Sequence, residues 1–329
     1  MKATPVLLDD FRSVAVDDLP PHVWHHYLVR YATQIGGAPL TFLLCVLRGP
    51  EPGPRVTIVA GVHGDEFEGM RALWQMVADN PYPLRCGTLT VVPIVNIPAY
   101  EAGTRTSPLD GINLARVFPG SAQGTPSERL AAALFEQVVV GSSLLVDLHS
   151  GGIRYLHSPL AGFLDVPDEV GQASLAAARA LGWLHLWAAP LRAGVLGYEA
   201  VRHGIPAVGT EVGGAGRCLP ADVGLYHPSL GRLLAHAGLF EQPEPVPPVA
   251  QTIIDGDWWL CPQSGFLDTR VTLSQVVTAG DLLGCVLDQF GAPVAELYAQ
   301  RPGVIVGVRA FPPIQAGEWG IFAGMTRRS

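Results

Sequence analysis

The stretch Arg55–Glu68, RVTIVAGVHGDEFE, carries the strongest structural signal in the chain. It begins with a largely β-branched apolar run of the kind that fills a buried strand. A turn with glycines on both sides of His63 follows, and apolar residues then recur at helical spacing from Met70 onward. The stretch therefore predicts a central strand that ends near His63 and a helix that begins at or just after Glu66. In open α/β sheets, ligands bind at this carboxyl edge.

His63 and Glu66 offer an imidazole and a carboxylate three residues apart, and both groups are good zinc ligands. An isolated pair with this spacing is more often an ordinary surface feature, so a third ligand is needed. The stretch Ser143–Gly152, SLLVDLHSGG, predicts a second buried strand that ends at His149. Taken alone, His149 would be interpreted as a hydrogen-bonded core or turn histidine. Two histidines and one glutamate from two strand ends instead match the ligand set of open catalytic zinc sites.

Strands and helices alternate through the first half of the chain, and this alternation predicts a mostly parallel α/β sheet flanked by helices. The predicted strands are Arg55–Gly61, Thr88–Val95 and Leu144–His149, with helices up to about Asp79 and near Ser127–Val140. The segment Asn96–Gly120 shows little regular pattern, and a loop of that length in a compact domain is usually functional. A further strand and polar turn are predicted over Ile205–Gly216.

Four motifs follow one another between Arg55 and Gly216: GVHGDEFEG, NIPAYEAGTRTSPLDGINLARVFPG, VDLHSGG and GTEVGGAG. In this order they resemble the succinylglutamate desuccinylase/aspartoacylase family of zinc carboxypeptidase-like hydrolases. The wording TRTSPLDG is closest to the N-acetyl-diaminobutyrate deacetylase-like members. The resemblance implies a carboxypeptidase-like fold, one zinc ion per chain, and hydrolysis of an amide bond in a small N-acyl amino acid by a metal-activated water.

The resemblance also implies a role for each polar residue of the motifs. Arg105 would polarise the scissile carbonyl and stabilise the oxyanion, Arg116 would bind the substrate carboxylate, and Asn113 would hold His63 in orientation. Glu211 would be the general base, taking a proton from the attacking water and returning it to the departing amine. The ordinary alternatives are surface or ion-pairing arginines and, for Glu211, a helix cap or ion-pair partner.

One residue departs from the family pattern. The family usually reads NLNR where this chain has Asn113-Leu114-Ala115-Arg116, and a methyl group donates no hydrogen bond. Loss of one such bond to a charged group is worth on the order of 1.5–3 kcal/mol. The departure affects the identity of the substrate more than the type of reaction. Farther along, Arg192–Tyr198 is predicted as a lid, and Tyr198 is a candidate substrate contact with ordinary packing as the alternative.

The C-terminal part has a different pattern. We predict a catalytic α/β domain over residues 1–240, a proline-rich linker over 241–251, and a small all-β, barrel-like domain over 252–329 that could border the mouth of the site. The pattern of this last region resembles a biotinyl or lipoyl barrel. Since Lys2 is the only lysine of the chain, the region cannot be a lysine-modified carrier.

Composition limits the partners and the location. The 329 residues are 48% hydrophobic and 15% charged, which predicts a globular protein with a large core. A net charge of −8 without a basic stripe argues against nucleic acid as a partner. No run reaches the roughly 18 apolar residues of a spanning helix, and no signal-peptide pattern is visible, so we predict no membrane partner and a cytoplasmic location. Five scattered cysteines fit reduced thiols, and a homo-oligomer stays open.

Two other functions fit the same residues. A zinc carboxypeptidase acting on a peptide C-terminus would use the same ligands and the same base. A catalytically silent metal-binding scaffold would keep the ligands without turnover, and Ala115 is the residue that favours it. Substrate panels and metal-dependent hydrolysis separate the three hypotheses.

Overall fold

The computed structural model of the protein describes residues 4–241 and 250–327, so most of the predicted linker, residues 242–249, lies outside the described residues. The strands are β1 Val6–Leu8, β2 Trp24–Thr33, β3 Pro39–Arg48, β4 Glu51–Ala60, β5 Cys86–Val92, β6 Leu144–His149, β7 Tyr155–Leu164, β8 His185–Ala189, β9 Ala207–Gly214, β10 Thr252–Leu260, β11 Gly265–Thr269, β12 Val276–Val277, β13 Leu282–Leu287, β14 Pro293–Tyr298, β15 Gly303–Arg309, β16 Pro313–Ile314 and β17 Trp319–Thr326.

The helices lie almost entirely between these strands in the first 240 residues. They are α1 Phe67–Asp79, α2 Ile97–Ala102, α3 Pro126–Leu134, α4 Glu169–Ala180, α5 Leu196–Arg202, α6 Pro220–Gly224 and α7 Tyr226–His236. Short 3₁₀ turns cover Phe11–Ser13, Val16–Asp18 and Leu114–Arg116, and a π-helical turn, Phe135–Val139, extends α3. Within the described ranges, none of the helices combines the length and the hydropathy that crossing a bilayer requires.

The mixed sheet is parallel at its centre. Thirteen of the described strands pair in the order β1-β2-β3-β5-β4-β6-β9-β7-β8-β10-β17-β15-β12. The four central strands β5, β4, β6 and β9 are parallel to one another, whereas most pairs nearer the edges are antiparallel. The mixed sheet with helices agrees with the sequence prediction, and its parallel part is the part that carries the motifs.

Both faces of the central strands are covered, which explains why the strands are apolar at every position. In β4, Ile58 packs into a cluster with Leu73 of α1 and Leu233 of α7. Its neighbour Val59 points to the opposite face and packs with Leu130 of α3. The two faces therefore hold separate cores, and polar side chains are left to the ends of the strands.

The C-terminal residues are all strand, and they pair in two ways. Strands β14, β13, β11 and β16 form a separate antiparallel sheet of four strands. Strands β10, β17 and β15 instead extend the main sheet, and β15 also pairs with β7. Pairing from β7 through β8, β10, β17 and β15 and back to β7 closes a ring of five strands. The C-terminal region thus shares hydrogen bonds with the catalytic half.

Three sequence predictions of local structure are wrong in detail. Asn96–Gly120 is not irregular throughout, because Asn96 caps the short helix α2 through its side chain. The alanine-rich helix begins at Glu169 and not at Ala161, since Ala161 lies inside β7. The strand predicted over Trp183–Trp187 is shifted to β8. Each error falls where alanine and apolar residues fit either kind of element.

Candidate active site

The two histidines and the glutamate of the motifs converge at the carboxyl edge of the sheet. His63 and Glu66 lie in the turn between β4 and α1, and His149 is the last residue of β6. One potential ligand atom from each residue lies within 4.8 Å of the other two. The turn requires glycine at Gly64, where a Cβ would lie 2.0 Å from the backbone of Ala99. This close approach holds the turn against α2 and directs the side chains toward β6.

Both imidazoles direct the same nitrogen toward the glutamate. Nε2 of His63 lies 3.2 Å from Oδ1 of Asn113, and Nε2 of His149 lies 2.9 Å from a carboxylate oxygen of Asp147. An oxygen acceptor at Nε2 favours the tautomer with the proton on that nitrogen, which leaves Nδ1 free to bind a metal. Each Nδ1 lies 2.8 Å from a carboxylate oxygen of Glu66. Asn113 thus contacts His63 as the sequence motif implies.

Buried charges dominate this cluster. Burial opposes ionisation of Glu66, but the histidines beside it hold the pKa of that carboxyl well below its usual range. Burial also opposes the charge of His149, yet Asp147 and Glu66 raise its pKa well above the ordinary value. The pKa of His63 falls to about 4 because of burial and the nearby Arg105. A carboxylate anion between two imidazoles is therefore the stable state, and it has room for one cation beside it.

The donor set fits a divalent cation. Although Nδ1 of His63 lies 2.8 Å from Oε1 of Glu66, the direction does not suit a hydrogen bond, and this buried nitrogen has no hydrogen-bond partner in the described chain. Leaving a buried acceptor unpaired costs about 1–3 kcal/mol. Two imidazoles and a carboxylate supply three ligands, the number found in open catalytic zinc sites. The residues present are thus the right kind and number for such an ion.

Glu211 lies beside this cluster on the neighbouring strand β9, in register with His149. Its Oε2 is buried and has no hydrogen-bond partner among the described residues. Burial and the nearby charge of Glu66 raise the pKa of Glu211 to about 8. A carboxyl group with a raised pKa can accept a proton near neutral pH and return it within one reaction cycle.

The arginines of the loop lie on the other side of the cluster. Arg105 donates a hydrogen bond of 2.8 Å to Oε1 of Glu66 and is about one-third exposed. Arg116 follows the short turn that Asn113 caps and donates to the carbonyl of Ala115 at 2.6 Å. Burial and the charges of Arg192 and Arg105 lower the pKa of Arg116. Several cations without an equal number of nearby anions make this end of the site suited to a carboxylate or an oxyanion.

A cavity of about 640 Å³ connects these groups. Its polar end contains the His63, Glu66 and His149 cluster together with Glu211 and the arginines. Tyr198 lies half-buried on α5 and also lines the cavity, next to the segment predicted as a lid. The other end is lined by aromatic residues of β8, β10 and β17: Trp187, Trp258, Trp259, Trp319 and Phe322.

Sequence reasoning missed two parts of this site. Asp147 could have been found, because residues two apart on a strand share a face, and Asp147 and His149 stand two apart at the end of a buried strand. The aromatic end had no sequence signal. Trp258 and Phe322 are more than 60 residues apart, and only the pairing of β10 with β17 makes them neighbours.

Comparison with known proteins gives a consistent family relationship. Residues 52–236 match the succinylglutamate desuccinylase/aspartoacylase catalytic domain. The chain is 34% identical over 312 residues to the N-alpha-acetyl-L-2,4-diaminobutyric acid deacetylase of Halomonas elongata, which covers 91% of this chain and 90% of that protein.

Solved structures extend this similarity over nearly the whole chain. The product-bound structure of the ectoine utilization protein EutE from Ruegeria pomeroyi aligns with a TM-score of 0.84 and 27% identity, over 94% of this chain and 98% of that one. A succinylglutamate desuccinylase from Silicibacter sp. aligns at 0.83 and 26%, with the same coverage. A metallo-carboxypeptidase from Burkholderia cenocepacia aligns at 0.51 and 20%, over 68% of this chain and 66% of that one, which is a likeness of fold.

Proposed function

The chain belongs to the succinylglutamate desuccinylase/aspartoacylase family, and we propose that it is a metal-dependent hydrolase that removes the acyl group from a small N-acyl amino acid. The metal in this proposal is one zinc ion per chain, held by His63, Glu66 and His149. The observation that carries the proposal is the convergence of their three ligand atoms within 4.8 Å, beside an unpaired carboxylate oxygen of Glu211.

The cation, when bound, supplies Lewis acidity and can lower the pKa of a coordinated water to about 7. The remaining work falls to side chains. Glu211 takes the proton of the attacking water and passes it to the departing amine. Arg105 donates hydrogen bonds to the carbonyl oxygen as negative charge develops there. Arg116 holds the substrate carboxylate, and Asn113 keeps His63 oriented.

The residues around the cluster support this division of roles. Asp147 accepts from Nε2 of His149 at 2.9 Å, so the imidazole is held from behind as metal-binding histidines usually are. The backbone N–H of Ser150 donates to Glu66 at 3.2 Å and stabilises its charge. Tyr198 lines the cavity and is proposed as a substrate contact. We also retain a cytoplasmic location and an open oligomeric state as predictions.

Metal content and turnover test the proposal together. The protein should contain close to one zinc per chain by elemental analysis, and chelation should abolish hydrolysis that added zinc restores. His63→Ala should lose the metal, whereas His236→Ala, at an exposed histidine of α7, should keep it. A wild-type protein that hydrolyses amides equally well without metal would refute the proposed chemistry.

A substrate panel separates deacylation from the other hypotheses. N-acetyl and N-succinyl amino acids should be hydrolysed faster than dipeptides if the protein is a deacylase. Preference for dipeptides would instead identify a carboxypeptidase, to which the chain is so far similar in fold. Bound zinc without hydrolysis of any member would identify a silent metal-binding protein.

A further inference from the structure

The cavity has an end that the proposed reaction does not use. We call it the recess and define it by Gly162, Trp187, Gly209, Gly256, Trp258 and Phe322, which all line the cavity. Hydrolysis of an amide needs the metal cluster, Glu211 and the arginines, and none of these belongs to the recess. Its shape is therefore available to select the substrate.

The floor of the recess is a patch of sheet without side chains. Across neighbouring strands, Asp147 of β6 is in register with Gly209 of β9, Gly209 with Gly162 of β7, and Gly162 with Trp187 of β8. Residues in register share one face of a sheet, so two glycines separate the polar end from the tryptophan. Strands lie about 4.8 Å apart, so Asp147 and Trp187 are separated by roughly 14 Å.

Gly209 faces open space. It lies in one of the central strands of the main sheet and is nevertheless partly exposed, because the cavity lies above it. A Cβ built on Gly209 would meet no atom within 4 Å, and the backbone there is not in the left-handed region. The glycine is thus required neither by close packing nor by backbone conformation. Its effect is to keep the recess open.

Aromatic rings form the walls. Trp258 stacks on Phe322 with a centroid distance of 5.0 Å and on Trp319 at 5.1 Å, with interplanar angles of 13° and 10°. Trp187 meets Phe322 edge-on at 5.2 Å. Gly256 allows this contact, since a Cβ there would lie 2.5 Å from the Phe322 ring. The rings hold one another in place, which preorganises an apolar surface for a ligand.

Charge argues against an ionic occupant at this end. Asp257 also lines the cavity, but its carboxylate pairs with Arg301 at 3.3 Å on the exposed side. The unpaired charges lie at the polar end, around Arg105 and Arg116. The recess thus presents aromatic faces and bare glycine backbone, a combination suited to a flat apolar group.

Resting on the proposed hydrolase function, we propose that the substrate carries an aromatic group that lies over Gly209 and Gly162 and packs against Trp187 and Trp258. An acetyl group at the metal would not span the two glycine strands, whereas an aromatic side group would. The ring can belong to the amino acid or to the acyl group, because both are attached to the amide that reacts.

The test compares substrates with and without a ring in the zinc-loaded enzyme. N-acetyl-L-phenylalanine carries the ring on the amino acid, N-phenylacetyl-glycine carries it on the acyl group, and N-acetylglycine has none. Nα-acetyl-L-2,4-diaminobutyrate supplies a cationic side chain for comparison. We expect kcat/KM for at least one ring-bearing substrate to exceed that for N-acetylglycine and for the cationic substrate by about tenfold or more.

Gly209→Val should fill the recess. We expect the ratio of kcat/KM for the ring-bearing substrate to that for N-acetylglycine to fall about tenfold or more, and Gly209→Ala should lower it less. Gly224→Val, at an exposed glycine of α6 with open space around it, should leave the ratio unchanged. A variant that is merely less stable would lose activity toward both substrates and keep the ratio.

Binding separates failure of this inference from failure of the proposed function. Titration calorimetry on the Glu211→Gln protein should show tighter binding of the ring-bearing compound, and Gly209→Val added to that protein should remove the difference. This result without any turnover by the wild-type protein would refute the hydrolase and keep the recess. Preference for N-acetylglycine or for the diaminobutyrate compound, unchanged by Gly209→Val, would overturn the recess.

Discussion

The two ends of the cavity are built on different physical principles. At the polar end, strand ends and the turns after them bring charged groups together, and burial shifts their pKa values in opposite directions. In the recess, strand middles bring glycines and aromatic rings together, and no charge is needed. Groups at the polar end are specified by motifs of a few residues, whereas the recess depends on strands from distant parts of the chain.

The difference teaches how such an enzyme could keep its chemistry and change its substrate. A substitution at the polar end should affect every substrate, because the same amide reacts in all of them. A substitution in the recess should affect only substrates that reach it. The following predictions can break or sharpen this contrast.

Glu211→Gln should lower kcat by about 10²–10⁴ for all substrates, because the amide keeps the size of the side chain but cannot accept a proton. Zinc content should stay close to that of the wild-type protein, which elemental analysis measures. Glu169→Gln, at an exposed position of α4, is the matched control and should have wild-type activity. A loss confined to ring-bearing substrates would place Glu211 with the recess and break the contrast.

Arg105→Ala should lower kcat by about 10²–10³ for substrates with and without a ring, since it removes a donor to the developing oxyanion. Arg105→Lys keeps the positive charge but loses the planar fork, and its activity should lie between those of the alanine variant and the wild-type protein. Steady-state kinetics provide the check. An effect on KM alone would mean that Arg105 binds the ground state and is no oxyanion donor.

His157 lies where the two ends meet, and its effect should appear in stability. Its ring contacts Trp258 and Phe322 edge-on, and burial lowers its pKa from 6.5 to about 4. As the pH falls, the unfolded chain takes up this proton before the native state does. The free energy of unfolding should therefore be fully present above about pH 6.5 and decline toward pH 4, by up to about 3 kcal/mol from this residue.

His157→Gln should remove this contribution to the pH dependence. Denaturant unfolding at several pH values between 7 and 4 measures it as the difference in slope between variant and wild-type protein. The variant can be less stable at every pH because it loses ring contacts, but its decline with acid should be smaller. Equal declines would show that the imidazole of His157 is protonated in the native state as readily as in the unfolded chain.

Much of the polar end could be predicted from the sequence because its residues stand in local patterns. The apolar run before His63, the helical spacing after Glu66 and the strand before His149 each fix a residue at the end of an element. Parallel pairing of β4, β6 and β9 then brings these ends to one edge. Asp147 follows the same logic and was overlooked. The roles of these residues in catalysis stay predictions.

The amino-acid sequence by itself determined the elements of the central sheet, the residues at their ends and the family to which the chain belongs, because hydrophobic periodicity and turn residues act over a few positions. The tertiary structure alone decided how the C-terminal strands attach and what they bring to the cavity. β10 pairs with β8, and β15 pairs with β7, across more than 60 and 140 residues of chain. Such contacts depend on the packing of whole faces, for which no short pattern in the sequence is a record.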